Sequence, residues 1–313
     1  MSAKRLWIVA LVCAFASAQE DEGPFKRVAE VEHTPISEIS GIVMSVTYEN
    51  VWWVHNDSGN EPALFAIDAD GDPILPVWLK ESFQVGAEKS PKPTWPGIEI
   101  LAASNVDWED IALHDGKLYL CEMGNNGNAR RDLGVYVINE PNPRAVDRMR
   151  VLKFIPIRYP DQEVFPAKKW HFDCEGLFVD QGKLYFVTKH RAPGQIGQLE
   201  RGAKLYRLDS QHLDRENELV LVGAHSQLAA PTGADLSPDG RHLAVSTVMA
   251  LWVFERPEND DNWFNGKARR IALPRQKTMQ AEAVTWDDND TLRLANEQRG
   301  VFTVELSALK PVG

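Results

Sequence analysis

Cysteine is scarce in this chain, three residues among 313, and none falls in a C-x-x-C pair. The count is too low for a disulfide scaffold, and the spacing of a zinc or dithiol redox site is missing. Basic side chains are outnumbered, 34 against 45 acidic, for a net charge of −11. A binder of phosphate backbone carries a basic stripe, so nucleic acid and acidic membrane faces are excluded as partners. Sustained helical periodicity is absent, and so are the G-x-S-x-G, H-E-x-x-H, P-loop and dinucleotide fingerprints. Gly176 to Lys183 mimics a P-loop, but the spacing is one residue too long and Leu184 follows where Ser or Thr belongs. The histidines show no paired metal spacing.

What remains is 43% hydrophobic and 25% charged, the balance of a soluble globular protein with ample core material. One apolar run stands apart. Lys4 and Arg5 precede Leu6 to Phe15, and Ala16-Ser17-Ala18 closes the segment. This is the order of a secretory signal with an A-x-A site, placing cleavage before Gln19. The run is too short for a membrane span, which needs roughly 20 residues. A signal peptide over 1–18 and one domain over 19–313 are expected, in a secreted or periplasmic monomer that does not span the membrane. In an oxidising compartment Cys121 and Cys174 either pair or stay as buried thiols.

Self-similarity organises the rest. DWEDIALHDGKLYLCEMGN from Asp107 and DCEGLFVDQGKLYFVTKHR from Asp173 share one plan: Asp two residues before Glu, an apolar run, a Gly-Lys turn, and a second β-forming run. Looser copies start at Ile39, Pro231 and Gln280, so the position of Glu109 and Glu175 is held there by Ser40, Thr232 and Glu282. Each copy continues into a third strand, from Ala63, Gly134, Ala203, Ala250 and Gly300. A fourth follows in several, from Val151, Glu218 and Arg269. Short strands between Gly, Asp, Asn and Pro turns, repeating every roughly 50 to 70 residues, predict an all-β fold, a β-propeller of four-stranded blades. Five copies predict five blades; a sixth would have to be a degenerate copy in the Pro-rich stretch 73–96. The last copy lacks a fourth strand, and FKRVAEVEH from Phe25 has no copy of its own, so the N-terminal strand is expected to complete the last blade and close the ring. Residues 73–96 and 192–202 read as loop insertions. DADGD from Asp68 reads as a β-turn, because Leu79 stands where a calcium loop needs its acid.

In such a blade the innermost strand lines the channel and the second runs back beside it. Residues starting the first strand and ending the second therefore share one mouth. The starting set is Glu38, Ser40, Asp107, Glu109, Asp173, Glu175, Thr232, Gln280 and Glu282. The ending set is His55-Asn56-Asp57, Glu122 with Asn125-Asn126, Thr188-Lys189-His190, Ser246-Thr247 and Asn296-Glu297. Converging carboxylates and amide oxygens suit a hard cation, Ca²⁺ rather than zinc. The expected ligands are Asp57, Glu109, Asn126, Glu175 and Glu282. In a hydrolase, Glu109, Glu175 and His55 would be the catalytic candidates, and Asn56, Arg130, Lys189, His190 and Glu297 would bind ligand. The alternative role for these acids is pairing with backbone amides or with Arg and Lys of adjacent blades.

The segments Ser40 to Ile42, His55 to Gly59 (H-N-D-S-G), Asp107 to Ala112 (D-W-E-D-I-A), Asp173 to Glu175 with Thr188-Lys189, and Thr232 to Gly240 (T-G-A-D-x-S-P-D-G), in this order, resemble a family of exported bacterial β-propeller proteins. Glu122 to Asn126 departs from that pattern's D-I-G-D-N, and Ser246-Thr247-Val248 from its R-T-Y. More distantly the chain looks like the gluconolactonase/regucalcin and phytase-like propellers. That likeness implies an axial cation and hydrolysis of small phosphoesters, esters or lactones. The competing expectation is a non-catalytic propeller binding a small molecule or a cell-envelope component. A third is a quinone-dependent sugar oxidoreductase.

Overall fold

The computed structural model describes residues 23–87 and 90–312; the expected signal segment lies outside them. Five small sheets, antiparallel apart from two short parallel pairings at outer edges, stand around a central channel. The innermost strands are Ile39–Met44, Ile111–His114, Trp170–Asp180, Pro231–Leu236 and Ala281–Trp286, and each contacts the next around the ring. The chain is a five-bladed β-propeller. Lys26–Glu30 pairs antiparallel with Gly300–Glu305, so the N-terminal strand completes the fifth blade as expected. Among the described residues no helix is long and apolar enough to cross a membrane.

The Pro-rich stretch is not a sixth blade. After the third strand of blade one, Ala63–Ile67, it forms a short outer strand, Pro73–Ile74, and a single turn of 3₁₀ helix, then leads into the fourth strand, Ile98–Leu101. The DADGD segment is the turn between two of these strands, with Asp68 Oδ1 accepting from the amides of Asp70 and Asp72. Residues 192–202 also differ from expectation. They are no loop: Lys183–Ala192 and Gln195–Leu208 run on as a hairpin paired out to Ala192 and Gln195, extending blade three beyond the mouth.

No single core holds the ring. Apolar side chains collect in five wedges, one between each pair of neighbouring blades. Trp53 and Trp108 pack between blades one and two. Trp52 lies between blades one and five, with the Arg293 guanidinium over its ring. Cys121 of blade two and Cys174 of blade three meet inside their wedge as buried thiols, 3.4 Å apart.

Near the axis the wedges are tied by polar contacts. Asp110 is fully buried; its Oδ2 accepts from the amides of Leu177 in blade three (2.8 Å) and Ala234 in blade four (3.0 Å), and its Oδ1 from Ile111. Asp235 of blade four accepts from the Thr285 hydroxyl and the Trp286 amide of blade five. Thr285 in turn accepts from the Met44 amide of blade one. Ser40 donates to the Glu109 carbonyl, and Thr232 to that of Ala281. Every blade is thereby joined to the belt. Asp110→Ala strands buried amides at about 1–3 kcal/mol each, so a loss of about 3 kcal/mol or more is expected in denaturant unfolding. Asp110→Asn, which keeps one acceptor oxygen, should lose distinctly less.

Candidate functional site

The repeat that builds the inner strands also delivers one set of polar side chains to one end of the channel. There a cavity of about 150 Å³ is lined by Ser40, Asp57, Glu109, Asn126, Glu175, Lys189, Arg191, Gln280, Glu282 and Glu297. The five residues expected to hold a cation are all in this lining, together with Lys189 and Glu297. Two carboxylate triads meet at its wall, each with oxygens inside 4.8 Å of one another: Asp57, Asp107 and Glu109, and Glu109, Asp173 and Glu175, with Asp107 and Asp173 behind the lining. Glu109 belongs to both.

The two triads differ in their countercharge. In the second, the Lys189 ammonium is 2.5 Å from Glu175 Oε1, and Arg191 reaches Asp173 at 3.1 Å and Glu175 at 3.7 Å. In the first, among the described residues, neither Asp57 nor Asp107 pairs with a cation. The arginine beside it, Arg130, is already held by Glu122 at 2.7 Å. Glu109 is 8% exposed, and its carboxylate receives no hydrogen bond and no ion pair among the described residues.

This crowding shifts proton affinities. Burial, followed by the charges of Glu175, Asp173 and Asp107, pushes Glu109 well above the usual carboxylate range. Burial and the charges of Asp173 and Asp57 raise Asp107 to about 6. Burial likewise lifts Glu282 to about 7, against the opposing pull of Lys189 and of a 2.5 Å hydrogen bond from Gln280. Glu175 is raised by burial even with the ammonium beside it. Burial alone would lower Lys189, but Glu175, Asp173, Glu109 and Glu282 outweigh it and hold the ammonium protonated.

Gly124 shows how tightly the first triad is built. A Cβ there would run into the Glu109 and Asp107 carboxylates, so only glycine lets the loop after Glu122 close over them. Glu122 accepts from the amides of Val106 and Asp107, and Asp173 accepts from the Asn125 amide at 2.6 Å. The departures from D-I-G-D-N at Glu122 and Asn125 therefore support the mouth from behind, while Asn126 faces it.

Four expected site residues stand elsewhere. His55 is fully buried between blades one and two, edge-on to Trp108, with Nδ1 on the Asn56 carbonyl. The Asn56 amide clamps a turn, accepting from Ser37 and Glu38 and donating to the Pro35 carbonyl. Arg130 serves Glu122 and the Gly124 carbonyl. His190 follows Lys189 on a strand, so it points to the opposite face and stacks on His171, rings 3.7 Å apart. Burial and the neighbouring His171 and Lys204 push its pKa down to about 3. The same alternation puts Arg191, which sequence reasoning passed over, beside Lys189.

No protein-family model matches the chain, and no curated protein matches it in sequence. Among solved structures, the fold is similar to that of the major allergen Mala s 1 of Malassezia sympodialis, at 12% identity and a TM-score of 0.51, over 91% of this chain and 95% of that one. Looser likenesses include the PQQ-bound aldose sugar dehydrogenase of Streptomyces coelicolor (11% identity, TM-score 0.46, 90% and 97% covered). Another is the glutaminyl cyclase of Myxococcus xanthus (12% identity, TM-score 0.45, 92% and 97% covered). At such identities the likeness is one of fold.

An acid with a raised folded pKa keeps protons that the unfolded chain has already released. Its contribution to stability is therefore present below its ordinary value and lost as pH rises through the folded one. For Asp107 and Glu282 the window runs from ordinary values of 3.8 and 4.5 up to about 6 and about 7. The melting temperature in chelator should fall between about pH 4 and about pH 7, and Asp107→Asn should flatten that fall. A flat profile in the parent protein would contradict the charge crowding described.

Proposed function

We propose that the mouth binds a hard divalent cation of the calcium type at Asp57, Asp107 and Glu109, and that this site serves an exported hydrolase of small esters, lactones or phosphoesters. The carrying observation is Glu109, a buried carboxylate that receives no hydrogen bond among the described residues, facing two further acids that form no ion pair among them. Carboxylate oxygens alone are the donor set of calcium rather than of zinc or copper. A bound calcium supplies a Lewis acid for a carbonyl or phosphoryl oxygen.

The chain's own groups have separable tasks in this reading. Glu282, held near pH 7 by burial, gives or takes a proton. Arg191, beside Glu175 and Asp173, faces negative charge developing on the substrate. The cavity admits only a reacting group, since pockets for whole drug-sized ligands run to roughly 300–1,000 Å³. The body of the substrate then rests on the rim, where the blade-three hairpin projects. That small volume also favours a second reading, a non-catalytic propeller whose cation holds the mouth for a ligand or envelope partner.

Calorimetric titration of the purified protein with calcium at pH 8, with ester, lactone and phosphoester screens in calcium and in chelator, tests both. The enzyme reading expects one bound ion and calcium-dependent turnover. Glu109→Gln should weaken calcium binding by roughly 100-fold, because even outer partners of a metal ligand are worth 10- to 100-fold. Calcium binding that raises the melting temperature without turnover would select the binding propeller. Absence of calcium binding would overturn the cation assignment.

A further inference from the structure

We infer that Lys189 is a built-in counter-ion that keeps a divalent cation out of the triad Glu109, Asp173 and Glu175, so that a mouth with oxygen ligands for two ions takes one. The inference rests on the proposed cation site in the neighbouring triad and adds what sets its stoichiometry. Two observations carry it. The triads share Glu109 and have the same oxygen chemistry and spacing, within 4.8 Å. They differ in that an ammonium at 2.5 Å and a guanidinium at 3.1 Å already sit on the second.

The Lys189 side chain is only 10% exposed and Glu175 only 4%, so this pair is scarcely screened by water. An incoming divalent ion would have to share Glu175 with a fixed positive charge a few ångströms away. In a medium of low effective dielectric that repulsion is large. Arg191, held by Asp173 on the same side, adds to it. No equivalent cation pairs with Asp57 or Asp107 among the described residues. Lysine is suited to the task because an ammonium is a compact point charge, whereas bound metal would depend on supply and pH. Lys189 is thus a specificity-determining residue: it divides one acidic funnel into an open half and a half already neutralised.

The test is calcium titration of the parent protein, Lys189→Met, Lys189→Arg and the double variant Lys189→Met/Glu175→Gln, with circular dichroism reporting the fold. Lys189→Met should bind one calcium ion more than the parent. Lys189→Arg, and the double variant that also lacks a ligand, should keep the parent's number. If Lys189→Met folds only when calcium is added while the double variant folds without it, the ion is filling the place of the ammonium and the inference holds. An unchanged stoichiometry in a folded Lys189→Met, or a Lys189→Met that calcium does not rescue, overturns it. The two readings fail separately. A parent that binds no calcium beside a Lys189→Met that binds one would sink the cation site of the first triad while supporting the counter-ion.

Discussion

The ring depends on the buried carboxylate of Asp110. Most strand hydrogen bonds of the propeller fall within a blade, and neighbouring blades meet mainly through side-chain packing and short edge pairings such as that of Arg148–Arg150 with Ile98–Leu101. Asp110 departs from that plan by crossing two boundaries at once, taking the amides of Leu177 and Ala234 from the two following blades. Burial raises its pKa well above the carboxylate range even as these donors lower it. Its worth is therefore geometric: it fixes the separation of three inner strands, and with it the distance between acids projecting one residue away. Glu109 is the adjacent residue and faces the mouth.

That adjacency explains why scaffold and site are hard to separate here. In D-W-E-D-I-A, the two residues leading into the strand at Ile111 point apart, one acid into the cavity and its neighbour into the belt. Ser40 and Thr232 occupy the repeat position held elsewhere by Glu109, Glu175 and Glu282, and both are spent on hydrogen bonds between blades. The repeat thus offers five polar positions at the axis, two used for cohesion and three left as acids. The mouth is consequently lopsided, with a crowded wall at blades two and three and a separate acid at blade five.

Much of this was legible in the residues because each copy carries its own punctuation. Gly-Lys and Asp-Gly turns at matched spacing mark the strands, and the unpaired N-terminal segment had one vacant edge to fill. The convergence of Asp57, Glu109, Glu175 and Glu282 followed from strand direction alone. Other features were hidden for identifiable reasons. The hairpin around residues 192–202 is rich in Gly, Pro and Gln, which read as loop, yet the extended pairing of blade three carries it. Thr188, Lys189 and His190 are consecutive on one strand, whose period of two turns His190 away from the mouth and brings Arg191 in. The partners of Asp110 are backbone amides, and no residue type announces them.

Because the strand at Lys26–Glu30 fills the open edge left by Gly300–Glu305, the first of the described strands to be synthesised is among the last to find its partner. Blades one to four can assemble as each is made, through wedges between neighbours in sequence. The wedge between blades five and one joins opposite ends of the polypeptide. Closing so long a loop has an entropic cost that grows only logarithmically with length, so the latch is thermodynamically affordable but late. Until it engages, Glu282 of blade five and the acids of blades one to three share no closed rim.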